Sequence, residues 1–161
     1  MLLVPEADPV VHDVRLVHDP AAAAGILSHV TLLFPFVPAD QLDAAVLDRV
    51  RAQVAGTGPI DMRFDRTARF PGVAYLALAD PAPVLQLIAT LAAEWPAYPL
   101  YGGLHAEVVP HLTIGHGTEA TLDMIEAVVA PQLPIASRAR EVTVLVEDAG
   151  RWQTHARLPL A

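Results

Sequence analysis

One short pattern occurs twice in this chain, and both copies lie at the same point in a repeated order of predicted elements. The copies read HVTL at 29–32 and HLTI at 111–114, so their histidines are 82 residues apart (111 − 29) in a chain of 161 residues. In each half, an Asp-Pro pair predicts a helix start, the motif predicts a strand, and a second helical stripe follows. Such an internal repeat constrains the fold strongly, because both halves must then share one architecture.

The spacing of apolar residues predicts the elements of each half. In the first half we expect a strand over Val10–His18, a short helix after Asp19-Pro20, a strand over His29–Phe34, a helix over Asp40–Val54, and strands near Ile60–Phe64 and Val73–Ala79. In the second half we expect a helix with apolar positions 84, 87, 88, 91 and 95, a strand at 111–114, a helix with inner positions 122, 125 and 129, and strands over Arg140–Val146 and Trp152–Leu158. This order indicates an α+β protein with two similar lobes, in which the strands of each lobe pack under helices on one face.

The two halves are expected to form one domain. No Gly/Ser-rich or charged linker separates them, so we assign 1–161 to a single two-lobed domain with repeat halves of roughly 1–72 and 73–161. No apolar stretch approaches the ~18 residues of a membrane span, and the N-terminus lacks the basic region of a secretory signal. The chain contains no cysteine, which fits the cytoplasm. We expect a cytoplasmic monomer.

The charge limits the class of partner. The formal net charge is −8, and all ten basic residues are arginine. Binding of long nucleic acid depends on many lysine and arginine contacts to phosphates, so a long duplex is excluded as a partner. A small or terminal phosphate, held by a local site, is compatible with this charge.

Successive side chains of a β-strand point to opposite faces of the sheet, so the residues of each motif are divided between two faces. His29 and Thr31 point one way, whereas Val30 points into the apolar layer. His111 and Thr113 do the same in the second copy. Two such strands facing across a groove present two imidazoles and two hydroxyls to one ligand.

This set of groups suits phosphodiester cleavage without a metal. A neutral imidazole removes a proton from the attacking water or hydroxyl, and a protonated imidazole delivers one to the leaving oxygen. The hydroxyls of Thr31 and Thr113 can bind the non-bridging phosphate oxygens. The residues alone leave open which of His29 and His111 is the acid and which is the base.

The paired motifs resemble those of the two-histidine phosphoesterase superfamily, and in particular its bacterial 2′-5′ RNA ligase and cyclic phosphodiesterase group. The segments RLVHDPAAAAGILSHVTLLFPF, YGGLHAEVVPHLTIGHG and GRWQTHARLPL are similar to the first lobe, the second lobe and the final strand of that family. The resemblance implies a bilobal duplicated α+β fold, with two small, mainly antiparallel sheets facing across a central groove and helices on the outer faces. It also implies metal-independent activity with no cofactor, His29 and His111 as the acid–base pair, and Thr31 and Thr113 as phosphate ligands.

Three further residues are candidates for substrate binding. Arg69 lies in a turn-like entry to a strand, where an arginine could reach the phosphate or simply be solvated. Phe36 follows the first motif and Tyr101 precedes the second, and either ring could stack on a nucleobase or pack in the core. Phe34 shares the strand parity of Val30, which favours a packing role.

Two other functional classes compete with the enzyme. A metal hydrolase could use His105, His111 and His116, but their spacing matches no zinc signature, and we expect no metal site. A catalytically silent nucleotide- or phosphate-binding module of the same fold is the other alternative, although a binder has no need of both an acid and a base. For the enzyme, the candidate substrates are 2′,3′-cyclic nucleotides, ADP-ribose cyclic phosphate and 2′-5′ oligonucleotides at RNA or nucleotide ends.

Overall fold

The computed structural model describes residues 1–104 and 107–161, and these residues form eight strands and five α-helices. The strands are β1 (Leu2–Leu3), β2 (His29–Val30), β3 (Ile60–Phe70), β4 (Val73–Leu78), β5 (His111–His116), β6 (Ile135–Ala139), β7 (Glu141–Asp148) and β8 (Arg151–Pro159). The helices are α1 (Asp8–His18), α2 (Pro20–Ala23), α3 (Ala44–Val54), α4 (Ala82–Glu94) and α5 (Glu119–Val129).

The strands form two antiparallel layers. One is a four-stranded sheet in the order β5-β4-β3-β6. In the other, β1 pairs with β2 and β7 pairs with β8. These two pairs are joined where the Thr143 amide donates to the Met1 carbonyl at 2.9 Å and the Met1 amine donates to the Thr143 carbonyl at 2.9 Å. This reciprocal exchange is typical of antiparallel strands, so the second layer runs β2-β1-β7-β8.

The two strands that carry the repeated motif are the edges at which the layers meet. β2 ends one layer and β5 ends the other, and Cα atoms of these two strands approach within 8 Å. The predicted duplicated α+β fold with two antiparallel sheets is therefore confirmed. The predicted boundary between the repeat halves falls in the turn between β3 and β4 and stays a prediction.

Helices cover the apolar face of the first sheet. α1 and α5 both pack against β5, where Leu112 and Ile114 are fully buried. The approach is close at Gly115, because a Cβ atom there would lie 2.6 Å from Ile125 Cδ1 and 2.9 Å from His18 Cβ. The absence of a side chain at Gly115 therefore allows α1 and α5 to pack closely against β5, the strand that carries His111.

Several predicted elements are observed with small shifts at their ends, except that β3 extends to Phe70 rather than Phe64, which places Arg69 within the strand instead of in the predicted turn. The helices α3, α4 and α5 and the strands β3, β4, β5, β7 and β8 are all present. α3 begins after Asp43, whose carboxylate caps the Val46 amide, and α2 begins after Asp19, which caps Ala21. The β7–β8 turn places Ala149 and Gly150 at positive φ, as expected of a tight hairpin turn.

The predicted strand over Val10–His18 is wrong, because this segment is the helix α1. Its valines favour a strand by local propensity, but Val11 and Arg15 are four residues apart and both are buried. That spacing matches one face of a helix, and Pro9 lies in the first turn, where proline is tolerated. The opening strand of the first half is instead the short β1.

The strand of the first motif is shorter than predicted, and β6, like β1, was not predicted. β2 ends at Val30 rather than Phe34, and Val30 lies opposite Leu2, the first residue of its antiparallel partner β1. β6 buries Ile135, Ser137 and Ala139, and this set is too weakly apolar to be distinctive in the sequence.

None of the helices formed by residues 1–104 and 107–161 is long and apolar enough to cross a membrane. The cytoplasmic location and the monomeric state stay predictions.

Candidate active site

The burial of the two motifs repeats residue by residue. Val30 and Leu32 are buried in the first, and Leu112 and Ile114 are buried in the second. The histidine and threonine of each motif are only partly buried, so partly buried and buried residues alternate along both motifs. The apolar residues of each motif therefore anchor it in the core, and the polar ones stand on the opposite face.

Each histidine is anchored through the same ring nitrogen. His29 Nδ1 lies 2.8 Å from the carbonyl oxygen of Leu27, and His111 Nδ1 lies 2.7 Å from that of Val109. A carbonyl oxygen only accepts hydrogen bonds, so Nδ1 must carry the hydrogen in both rings. This arrangement leaves Nε2 of each neutral ring as the nitrogen that can accept a proton. The sequence gives no sign of this anchor, which depends on the backbone two residues upstream.

Burial lowers the pKa of both imidazoles and so favours their neutral form. It lowers the pKa of His29 from 6.5 to about 4, against the opposing effect of the Leu27 carbonyl, and the positive charge of Arg15 lowers it further. Burial also lowers the pKa of His111, with the Val109 carbonyl again opposing. A phosphate placed between the rings would favour the protonated form, because a nearby negative charge stabilises imidazolium.

Aromatic rings support His111 from its own sheet. The register pairs Ala77 with His111 and Tyr75 with Thr113, which places Tyr75 on the same face as the motif. The Tyr75 ring centroid lies 5.1 Å from that of His111, and the Phe70 ring meets His111 edge-on at 5.0 Å. Phe70 and Tyr75 are stacked on each other at 4.3 Å. The His111 ring is therefore held between its carbonyl anchor and an apolar wall.

A cavity of about 520 Å³ opens beside the first motif. Its lining includes His29 and Thr31 together with the predicted residues Phe36 and Tyr101. Phe36 also packs edge-on against Trp95, with ring centroids 5.2 Å apart, so it has both a packing contact and a face on the cavity wall.

Tyr101 links the second half of the chain to the first motif. Its amide donates to the Phe34 carbonyl at 2.6 Å, and its phenol is hydrogen-bonded to the Thr31 hydroxyl. Burial raises the pKa of Tyr101, and the bond to Thr31 opposes that rise. Its backbone lies in the left-handed region at φ 49°, a strained conformation for a tyrosine. The structure places Tyr101 beside the first motif, and its predicted role in substrate binding stays a prediction.

The structure places Arg69 outside this group. On β3, Arg69 pairs with Ala74, which lies on the opposite face of β4 from Tyr75. Its guanidinium binds three carboxylates of α5 at 2.7–2.8 Å, those of Glu119, Asp123 and Glu126. The expectation that Arg69 reaches the phosphate is therefore corrected, because its charge is already paired on the helix-covered side of the sheet.

A buried ion pair lies behind His29 and was missed in the sequence. Arg15 binds the Asp19 carboxylate at 2.8 Å, donates to the Ile26 carbonyl at 3.3 Å, and donates to Ser28 Oγ at 3.2 Å. The Arg15 and Asp19 side chains are only 4% and 2% exposed. This cluster fixes the segment that leads into His29. The spacing of four residues between Arg15 and Asp19 indicates such a pair only where the segment is helical, whereas its valines favour a strand.

The metal alternative can be examined only through His111 and His116, the two of its three histidines that the structure describes. Across residues 1–104 and 107–161, no group of three or more His, Asp or Glu side chains is placed to hold a metal ion. His105 lies outside the described residues. His116 Nε2 lies 3.9 Å from the Asp19 carboxylate, at the far end of β5 from His111.

We expect Thr31→Val and Thr113→Val each to lower kcat by roughly 10- to 10³-fold, because each removes a hydroxyl that can stabilise charge on the phosphate. The unfolding midpoint in urea should change little for Thr113→Val, whose hydroxyl stands outside the buried layer, and somewhat more for Thr31→Val, which also loses the hydrogen bond to Tyr101. Thr154→Val on the exposed face of β8 is the matched control and should keep normal activity. A loss of stability with normal activity per folded molecule would make these threonines structural.

The fold and the paired motifs together define a two-histidine phosphoesterase. Residues 3–151 match the family model described as the 2′-5′ RNA ligase superfamily. The chain belongs to this superfamily. No curated protein matches its sequence.

Solved structures with the same fold share little sequence with the chain. The crystal structure of E. coli LigT complexed with 3′-AMP has a TM-score of 0.63 at 17% identity, over 98% of this chain and 93% of that chain. LigT complexed with NADP+ has a TM-score of 0.59 at 19% identity, over 98% and 92%. A crystal structure of a phosphoesterase has a TM-score of 0.57 at 17% identity, over 98% and 94%.

Proposed function

We propose that this protein is a metal-independent phosphodiesterase that acts on cyclic phosphates or 2′-5′ linkages of nucleotides or RNA ends. His29 and His111 serve as the general acid and base. The main support is the duplicated anchor, in which two adjoining edge strands each carry a histidine bound through Nδ1 to the carbonyl two residues upstream. This anchor leaves two equivalent Nε2 atoms for one substrate.

In the proposed reaction one of the two histidine rings must be protonated, so the site takes up a proton when the substrate binds. Burial lowers both pKa values in the absence of phosphate and so disfavours the protonated rings. The negative charge of the diester raises these pKa values, so one ring takes up a proton as the substrate binds. The protonated ring then donates to the leaving oxygen, while the neutral ring accepts a proton from water or a substrate hydroxyl.

The threonines and the fold supply positioning. Thr31 and Thr113 hold the non-bridging oxygens, and fixed donors of this kind contribute much of the catalysis in phosphoryl transfer. E. coli LigT, which shares the fold, has been crystallised with 3′-AMP and with NADP+. A nucleotide phosphate as the substrate of this chain is consistent with those complexes.

The experiment is a substrate screen in the presence of chelator, followed by phosphorus NMR. It would include 2′,3′-cyclic nucleotides, ADP-ribose cyclic phosphate and 2′-5′ dinucleotides. We expect at least one diester to be converted, at the same rate with and without chelator. Activity that is lost in chelator and restored by one added ion would identify a metal hydrolase. Binding without turnover of any diester would identify the silent binding module.

The pH dependence of turnover follows from the lowered pKa values. kcat/KM reports the free enzyme, in which His29 has a pKa of about 4 and His111 a pKa below 6.5. Both limbs of its bell-shaped profile should therefore lie below pH 6.5, and kcat/KM should fall as the pH rises towards 7 because the protonated acid is lost. The profile of kcat should lie at higher pH, since bound phosphate raises both pKa values. Initial rates measured across this range check both expectations, and a kcat/KM that rises from acid to neutral pH would contradict them.

A further inference from the structure

The segment that leads into the first motif is held on both sides of Leu27. The Arg15 guanidinium donates to the Ile26 carbonyl oxygen at 3.3 Å and to the Ser28 hydroxyl at 3.2 Å. These two residues flank Leu27, whose own carbonyl oxygen anchors His29 Nδ1 at 2.8 Å. The position of this anchor therefore depends on Arg15, although the Arg15 side chain is too buried to bind a substrate itself.

Arg15 is in turn held in a fixed position. Two of its nitrogens, Nε and Nη2, donate to Asp19 Oδ2 at 3.0 Å and 2.8 Å, and the Ser28 hydroxyl donates to the Asp8 carboxylate at 2.5 Å. Asp8 and Arg15 lie in the first and last turns of α1, and Asp19 directly follows this helix. We call Asp8, Arg15, Asp19 and Ser28 the Arg15 cluster. A buried polar network whose members are paired is rigid, so the segment 26–28 has little freedom to move.

The helix that carries Arg15 also supports the strand of the second motif. α1 packs closely against β5 at the glycine near the end of that strand. His116, the last residue of β5, has Nε2 3.9 Å from Asp19 Oδ1. The Arg15 cluster therefore holds the anchor of His29 in a fixed place relative to the strand that carries His111.

The two charges of the Arg15–Asp19 ion pair act on His29 in opposite directions. Burial is the main cause of the lowered pKa of His29. The positive charge of Arg15 lowers this pKa further, and the negative charge of Asp19 raises it. Removing both charges together therefore disturbs the pKa of His29 less than removing Arg15 alone. A larger effect on the ring would come from the lost hydrogen bonds.

We infer that Arg15 is a positioning residue for the proposed reaction. By holding Ile26 and Ser28, it fixes the Leu27 carbonyl, which keeps the ring hydrogen of His29 on Nδ1 and directs Nε2 towards the phosphate. If the carbonyl is displaced, the ring is free to turn and to carry its hydrogen on either nitrogen, because the partner of one nitrogen decides which of them is protonated. The effect on turnover rests on the proposed function, whereas the effect on the His29 ring does not.

The test uses the double variant Arg15→Met with Asp19→Asn. It removes the buried charge together with its counter-ion, so the protein should stay folded, and asparagine still caps α2. Nitrogen NMR of the imidazoles, recorded at a pH above the pKa of both rings, needs no turnover. In the unmodified protein, His29 and His111 should both carry the hydrogen on Nδ1. In the variant, His29 should become a mixture of the two tautomers, whereas His111, whose anchor lies in the other half of the chain, should be unchanged.

Kinetics on a verified diester gives the second readout. The double variant should lower kcat roughly 10- to 100-fold, as expected when a catalytic group is misplaced by about 1 Å. KM should change by no more than about threefold, because the threonines that hold the phosphate are unaltered. Ser28→Ala removes only the hydroxyl between Arg15 and Asp8, and it should produce the same changes to a smaller extent. Arg138→Met, at an exposed side chain on β6, is the matched control and should produce neither.

The results separate a positioning role from a purely structural one. A His29 ring that keeps its hydrogen on Nδ1 in both the double variant and Ser28→Ala would overturn the inference, and so would an equal change of tautomer in His29 and His111. A raised KM at unchanged kcat would also overturn it. If the double variant does not fold, Ser28→Ala decides the test. A change of tautomer confined to His29, in a protein that converts no diester even when unmodified, would support the positioning role and refute the proposed function alone.

Discussion

Replacing either His29 or His111 by alanine is expected to lower kcat on the true substrate by roughly 10²- to 10⁴-fold, the contribution typical of one general acid or base. The two rings are anchored alike and act on the same transition state. The double variant should therefore lose much less than the product of the two single losses. Steady-state kinetics of the three variants, with folding checked by circular dichroism, provides the measurement.

The control for these variants is His155→Ala. His155 is an exposed histidine on β8, so its removal should leave kcat within about twofold of the wild type. Full activity of either His29→Ala or His111→Ala on a verified substrate would contradict the acid–base assignment.

Arg15→Ala is expected to lower the free energy of unfolding by about 3–5 kcal/mol. The variant leaves the Asp19 carboxylate buried without its counter-ion and removes the donors to Ser28 and Ile26. The double variant Arg15→Met with Asp19→Leu should recover much of this loss, because it removes the unpaired charge together with its partner. Urea unfolding followed by tryptophan fluorescence gives all of these values.

An exposed ion pair supplies the comparison for the Arg15 result. Arg138 Nη1 lies 3.2 Å from Asp61 Oδ1, but the two side chains are 50% and 74% exposed. Arg138→Ala should therefore cost no more than about 1 kcal/mol. An Arg15→Ala protein as stable as Arg138→Ala would show that the buried pair contributes little to the fold.

The two motifs were predictable because the period of a β-strand fixes which side chains share a face. The apolar residues of each motif, Val30 and Leu32 in the first and Leu112 and Ile114 in the second, are expected in the core. The histidines and threonines alternate with them and must therefore point away from the core. The same reasoning failed for the segment that became α1, since its valines favour a strand locally and the burial of Arg15 is visible only in three dimensions.

The remaining features of the site depend on contacts between distant parts of the chain. The carbonyl anchors of the histidines depend on the backbone path before each strand, and the cavity depends on Tyr101 reaching Phe34 from the other half. The partners of Arg69 come from α5, at least 50 residues away in sequence. No local pattern specifies these contacts, so the sequence could only name Tyr101, Phe36 and Arg69 as candidates.

The most direct test of the two-histidine site is a crystal structure of the protein with a bound nucleoside 2′-monophosphate, a product of the proposed reaction. The account predicts one phosphate whose oxygens lie roughly 2.6–3.2 Å from Nε2 of both His29 and His111. The Thr31 and Thr113 hydroxyls should donate to its remaining oxygens. A phosphate that contacts only one of the histidines, or that binds elsewhere on the protein, would contradict it.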